Sequence, residues 1–132
     1  MNLISETVDL ADRVIRLVQP PALQLAESSL TYLDTKYLWT AVSYNIPDIL
    51  ASSGPQPFAE LAQRSALQPL HHSQIMRVLH NNGIFTFDAA TGRYSNSASS
   101  ALLTKTHWSQ WHRWVDRYGN EFYNAVRTLP AA

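Results

Sequence analysis

The fold of this chain is decided by residues 75–95, which read IMRVLHNNGIFTFDAATGRYS. The apolar residues Ile75, Val78 and Leu79 recur at the spacing of one helix face. Asn82-Gly83 ends that helix, because glycine readily takes the positive φ that a helix end requires. Two short strand-like runs then flank a loop that contains Gly92, which predicts a β-hairpin. A helix followed by a hairpin is the second half of a winged helix-turn-helix.

The segments on either side extend this pattern into a mainly α fold. Phe58, Leu61 and Ala62 mark a helix of about two turns, and Pro69 opens the next one. Helix, turn, helix and hairpin therefore follow in the order of a winged helix-turn-helix. The prediction is a single domain with a helical arm over residues 1–45, a winged helix with a small two-stranded β-wing over 46–103, and an aromatic-rich helix over 104–132.

The arm consists of two predicted helices, of which the first has a broad apolar face. It should end before Pro20, because proline disfavours helix in the preceding residue. The second runs from Pro21 to a left-handed cap at Asn45. A terminal helix this apolar is either core or an arm buried against a second subunit, and we predict an intertwined homodimer. The candidate interface residues are Ile4, Val8, Ile15, Val18, Tyr37 and Tyr44.

Composition and charge narrow the classes of function. Charged residues make up only 15% of the chain, against about 25% in an average domain, which favours a surface that is hidden against a partner. Ten basic and ten acidic residues give zero net charge. The predicted helix from Pro69 to Asn82, which takes the place of a DNA-reading helix, offers one cation, Arg77, and the wing adds only Arg93. DNA binding is therefore not expected, because phosphate contacts need several cations.

There is no cysteine, which excludes disulfides and thiolate metal sites. No apolar run approaches the roughly 18 residues of a membrane span, and no signal peptide is visible, so we expect a soluble, cytoplasmic protein.

The histidines offer no convincing metal site. His72 and His80 share a helix face but are eight residues apart, and no carboxylate lies near them in sequence. We interpret them as surface or partly packed histidines and expect no metal. His112, with Asp116 four residues later, is a weak candidate for a general base with its orienting partner.

Aromatic residues dominate the last predicted helix, from His107 to about Arg127. Rings at helical spacing usually bury in a core or an interface. The alternative is that they line a pocket in which a flat aromatic ligand stacks. The candidates for such a pocket are Trp111, Trp114, Tyr118 and Phe122.

Four stretches, taken in order, resemble one family. They are YNIPDIL at 44–50, FAELA at 58–62, IMRVL at 75–79 followed by NGIF at 82–85, and GRYS at 92–95. In this order and spacing the chain resembles the N-terminal dimerisation domain of plant- and fungal-type O-methyltransferases over about residues 20–128. Residues 97–103 and the tryptophan-rich helix fit the fungal branch. Two positions depart from the family pattern: His72 stands where an apolar residue is usual, and Asn45 replaces a glycine.

The resemblance implies a non-catalytic domain that pairs two subunits and covers one side of the site of an aromatic or polyketide substrate. In that family a following domain binds S-adenosylmethionine (SAM), whereas the glycines of this chain are scattered and form no Gly-x-Gly-x-Gly loop. We therefore expect no cofactor in this chain and no methyl transfer by it alone. A separate methyltransferase or biosynthetic protein is a further expected partner.

Two alternatives come from other classes of function. A free-standing relative could catalyse a cofactor-free cyclisation or isomerisation in a pocket at the dimer interface. A regulatory relative could instead bind another protein, because a fold does not fix a function.

Overall fold

The computed structural model describes residues 2–129, which fall into two compact units divided between Tyr32 and Leu33. The chain is mainly helical with a small antiparallel sheet, as predicted. In chain order its elements are α1 (Leu3–Val18), α2 (Pro21–Ser43), α3 (Ile46–Ser53), β1 (Gln56–Pro57), α4 (Phe58–Ser65), α5 (Pro69–Asn81), β2 (Phe85–Asp88), β3 (Arg93–Asn96), α6 (Ala98–Ala101), α7 (Trp111–Arg117), a π-helical turn (Tyr118–Phe122) and α8 (Tyr123–Val126).

The first unit holds α1 and the beginning of α2. The Asn2 side chain caps α1 by accepting a hydrogen bond from the Ile4 N–H at 3.2 Å. The helix ends at Val18, and Gln19 is extended (φ −72°, ψ 132°) because Pro20 follows it. None of the residues of α1 is buried.

The core of the second unit lies between α2, α3, α4, α5 and β2. It is formed by Ala41, Ile46, Leu50, Leu61, Leu67, Ile75, Met76, Leu79 and Phe85. A smaller apolar cluster joins Val42, Leu103 and Val115, which places α7 against α2. The two clusters fix the orientation of the helices that carry the candidate site.

The sheet contains one strand more than the sequence predicts. The hairpin of β2 and β3 is present, with Phe85 opposite Asn96, and it follows α4 and α5 in the predicted order. Gln56 and Pro57 of β1 pair with Tyr94 and Arg93 on the other side of β3, giving the order β1-β3-β2. Two residues are too few to show the alternation that predicts a strand, so this pairing was not visible in the sequence.

Left-handed residues set several element boundaries. Asn45 has φ 59° and Gly83 has φ 75°, so both helix ends are confirmed where the sequence places them. The aromatic helix, by contrast, begins at Trp111 rather than at His107. Gln110 is left-handed (φ 55°), and its N–H and side-chain amide both donate to the His107 carbonyl, at 3.2 and 2.9 Å. Residues 107–110 therefore form a turn.

Candidate functional site

An unbroken row of exposed aromatic rings follows α7 and the π-helical turn. We call this row the aromatic ladder: Trp111, Trp114, Tyr118 and Phe122. Successive ring centroids are 5.8, 4.5 and 4.9 Å apart, within the range of favourable aromatic pairs. Each of these residues remains 40–55% exposed. The same helix buries Val115 and Gly119, which directly follow Trp114 and Tyr118 in sequence, so the ladder runs along the side of the helix next to its buried face.

Side chains from α2 hold the helix that carries the ladder. The Lys36 ammonium donates to the Gly119 carbonyl at 2.6 Å and lies over the rings of Trp39 and Tyr123, at 4.7 and 4.3 Å from their centroids. The Trp39 Nε1–H donates to Asp116 Oδ1 at 2.9 Å. The two aromatic faces and the carbonyl offset the hydration that the Lys36 ammonium loses when it is partly buried. These contacts fix the ladder helix at two successive turns.

Gly119 packs directly against Trp39 of α2. A Cβ atom at this position would lie 2.4 Å from the Cβ of Trp39, so only glycine fits there. Sequence reasoning missed Lys36, Trp39 and Gly119. The available signal was Gly119 itself, because a glycine inside a helical pattern costs about 1 kcal/mol and therefore indicates a close packing contact.

A groove of about 660 Å³ adjoins the start of the ladder. Its walls combine the indoles of Trp111 and Trp114 with two arginines and two carboxylates. The arrangement offers an aromatic face for stacking and charged groups of both signs for orienting a polar substituent. The lining residues are Ser109, Gln110, Trp111, Arg113, Trp114, Asp116, Arg117 and Glu121.

His112 and Asp116 make no hydrogen bond to each other among the described residues. Asp116 accepts the indole N–H of Trp39, and His112 Nδ1 is buried without a partner in that part of the chain. A general base on His112 stays a prediction. Across residues 2–129 no group of three or more histidines and carboxylates is placed to hold a metal ion.

His72 corrects the prediction of a surface or partly packed histidine, because its side chain is completely buried. Neither ring nitrogen has a hydrogen-bond partner among the described residues, and the ring meets Phe58 edge-on at 5.1 Å. Burial lowers the pKa of His72, since the charged ring would lose its hydration. The neutral ring is therefore favoured in the folded protein.

Replacing His72 with leucine should stabilise the protein by about 1 kcal/mol at pH 7, because two buried nitrogens without partners are removed. Because the pKa of His72 is lower in the folded state than its unfolded value near 6.5, the unfolded chain binds the proton more readily. The free energy of unfolding is therefore highest above pH 6.5 and falls as the pH drops below that value. His72→Leu should flatten this acid dependence below pH 6.5. Urea unfolding at several pH values measures both effects. Leucine at the exposed neighbour His71 is the control, and equal slopes for all three proteins would contradict the prediction.

The candidate interface residues lie in different surroundings. Ile4, Val8, Ile15 and Val18 are exposed by 72%, 55%, 56% and 75% on α1. In the second unit, Tyr37 is half-buried against the main core and Tyr44 is 38% exposed. The apolar face that the sequence predicts on α1 is therefore exposed to solvent. Within residues 2–129 no helix is both long enough and apolar enough to cross a membrane.

A family model described as the O-methyltransferase dimerisation domain matches residues 26–106. The chain belongs to this family. It is 58% identical over 131 residues to the O-methyltransferase verK of Clonostachys rogersoniana, covering 99% of this chain and 32% of verK. It is 46% identical to the trimodular acetylaranotin synthesis protein ataIMG of Aspergillus terreus, covering 96% of this chain and 14% of that protein.

The fold of this dimerisation domain is also found in solved structures. A pericyclic reaction enzyme shares it with a TM-score of 0.83 at 13% identity, over 99% of this chain and 34% of that one. The chain spans about a third of the length of verK and a seventh of ataIMG. Its 132 residues correspond to the N-terminal part of these relatives.

The glycines of the dimerisation domain do not fit a SAM site. Gly54, Gly83 and Gly92 have positive φ in three separate places: after α3, after α5 and in the hairpin. None lies in a loop that leads from a strand into a helix, where a glycine-rich loop and a helix N-terminus would cradle a cofactor. Gly119, the remaining glycine, is packed against Trp39.

Proposed function

We propose that this domain pairs two copies of the chain through α1. The observation that carries the proposal is the open apolar face of that helix. Ile4, Val8, Ala11, Ile15 and Val18 follow each other in steps of four, three, four and three residues, the repeat by which two helices wind around each other. Most of the stability of a helix in a protein comes from packing of its apolar face, and no residue of α1 is buried. A second copy supplies the missing packing surface.

Replacing Ile15 with aspartate tests this pairing, because the change places a carboxylate in the centre of the apolar face. We expect the wild-type protein to have twice the 14.9 kDa chain mass and the Ile15→Asp variant to have a single chain mass, measured by light scattering. Arg13→Asp places the same carboxylate on the polar face and should leave the dimer intact. A dimer that survives Ile15→Asp, or an already monomeric wild type, would refute pairing through α1.

A second role, shaping the site of a flat aromatic substrate, is supported by the aromatic ladder. Four aromatic residues that remain 40–55% exposed leave a large apolar surface in water, and such surfaces mark ligand or protein interaction sites. The exposed rings of the ladder offer an apolar aromatic surface against which a planar ligand can pack. The ladder would form one wall of the substrate site of an O-methyltransferase of secondary metabolism. SAM and the groups that transfer the methyl would come from outside these 132 residues.

The other expectations from the sequence stay predictions. Likeness to the pericyclic reaction enzyme is a likeness of fold alone, so it does not support a cofactor-free cyclisation. A polyketide substrate, a separate biosynthetic partner and a regulatory, protein-binding role likewise stay predictions.

A further inference from the structure

The rings of the aromatic ladder become more parallel along the chain. The interplanar angle is 67° between Trp111 and Trp114, 32° between Trp114 and Tyr118, and 17° between Tyr118 and Phe122. The most parallel pair stands at the two ends of the π-helical turn, Tyr118–Phe122. The local backbone geometry therefore changes where the rings become most parallel.

The stacked pair coincides with a wide turn of the backbone. In a regular α-helix with 3.6 residues per turn, side chains four residues apart are rotated by about 40° around the axis. A π-helical turn contains more residues per turn, so the offset between Tyr118 and Phe122 around the axis differs from that in a regular helix. Their ring centroids are 4.9 Å apart. The stack depends on the turn keeping this shape.

Lys36 holds the π-helical turn from outside. Its ammonium donates to the carbonyl of Gly119, the second residue of that turn. The same ammonium lies 4.3 Å from the ring centre of Tyr123, directly after the turn, and 4.7 Å from that of Trp39 on its own helix. These contacts join the carbonyl inside the turn to α2. Because π-helical turns are rare and concentrate at functional sites, a side chain that fixes one can control the site.

We propose that Lys36 is a positioning residue, which fixes the π-helical turn and so aligns Tyr118 and Phe122 into a stack ready to receive a flat aromatic ligand. The ligand part of this inference rests on the proposed role of the aromatic ladder. The positioning part rests only on contacts within the second unit. Lys36 itself is not required to touch the ligand.

The test compares wild type, Lys36→Met and Lys36→Arg by NMR of the full chain labelled at its aromatic rings. Methionine keeps the length of the side chain but loses the ammonium, whereas arginine retains a cation and hydrogen-bond donors. In the wild type we expect cross-relaxation between the ring protons of Tyr118 and Phe122. In Lys36→Met this signal should fall at least fivefold, with the far-UV circular dichroism unchanged. Lys36→Arg should retain most of it, and Lys36→Gln replaces Lys36→Met if that variant does not fold.

Titration with 2-naphthol, a planar bicyclic phenol, then separates the two parts of the inference. Shifts of the ladder resonances that saturate in the wild type, with at least tenfold weaker binding in Lys36→Met, support both parts. No binding to the wild type refutes the ladder as a ligand face, while loss of the Tyr118–Phe122 contact in Lys36→Met still supports positioning by Lys36. Unchanged ring contacts in both Lys36→Met and Lys36→Gln overturn the positioning role, whatever the wild type binds.

Discussion

Replacing Gly119 with valine should destabilise the protein by about 3 kcal/mol, the upper end of the usual cost of overpacking. The first atom of the new side chain would lie 2.4 Å from Trp39 Cβ and 2.6 Å from its Cγ. These atoms are close to the backbone of α2, so they cannot rotate away, and the two helices must separate. The Lys36 and Asp116 hydrogen bonds, which join the same two helices, would then lengthen.

Urea unfolding at one fixed protein concentration measures the effect of Gly119→Val. Valine at the adjacent, exposed Asn120 is a matched control, and we expect it to change the free energy of unfolding by less than about 0.5 kcal/mol. If both variants unfold at the same urea concentration, the close approach of Gly119 to Trp39 does not limit the choice of residue.

Replacing Phe85 with alanine should cost about 3–5 kcal/mol, the range for removing a large buried aromatic side chain. Phe85 is 2% exposed and belongs to the main core, to which α2, α3, α4 and α5 also contribute. It opens β2, and its carbonyl oxygen lies 3.3 Å from His80 Nδ1. Alanine would leave a cavity at the junction of the hairpin and the helices.

Phe87 provides the comparison on the same strand. It is 37% exposed and contacts Tyr94 and His80 at ring distances of 4.8 and 5.8 Å. Phe87→Ala should therefore cost about 1 kcal/mol, mainly through these ring contacts. The decisive quantity is the difference between the two variants in chemical unfolding. Equal losses would mean that Phe85 does not anchor the core.

Features set by local conformation could be predicted from the sequence. Pro20, Asn45 and Gly83 end helices because of their own backbone preferences, and all three ends lie where the sequence places them. The heptad-like spacing on α1 and the hairpin are equally local. These signals were sufficient for the fold class and for the aromatic ladder.

Features that depend on contacts distant in sequence could not be predicted. β1 exists because Gln56 pairs with Tyr94, 38 residues away. The π-helical turn is held by Lys36, which is 83 residues from Gly119. The periodic pattern of the aromatic residues fits a regular α-helix equally well, so nothing local distinguishes the two. The burial of His72 likewise follows from the packing of α5 against Phe58 and not from its own sequence neighbours.

The exposed face of α1 also has a consequence for how the protein behaves as its amount in the cell changes. No residue of α1 is buried within its own chain, so in the dimer that we propose, association with another copy supplies the free energy that keeps its apolar side chains out of water. The fraction of chains in which α1 is packed and ordered then rises with protein concentration, by the law of mass action. At low concentration the chain would be monomeric, and the exposed apolar face of α1 would be accessible to proteases and to non-specific apolar contacts. At high concentration the second copy would cover this face.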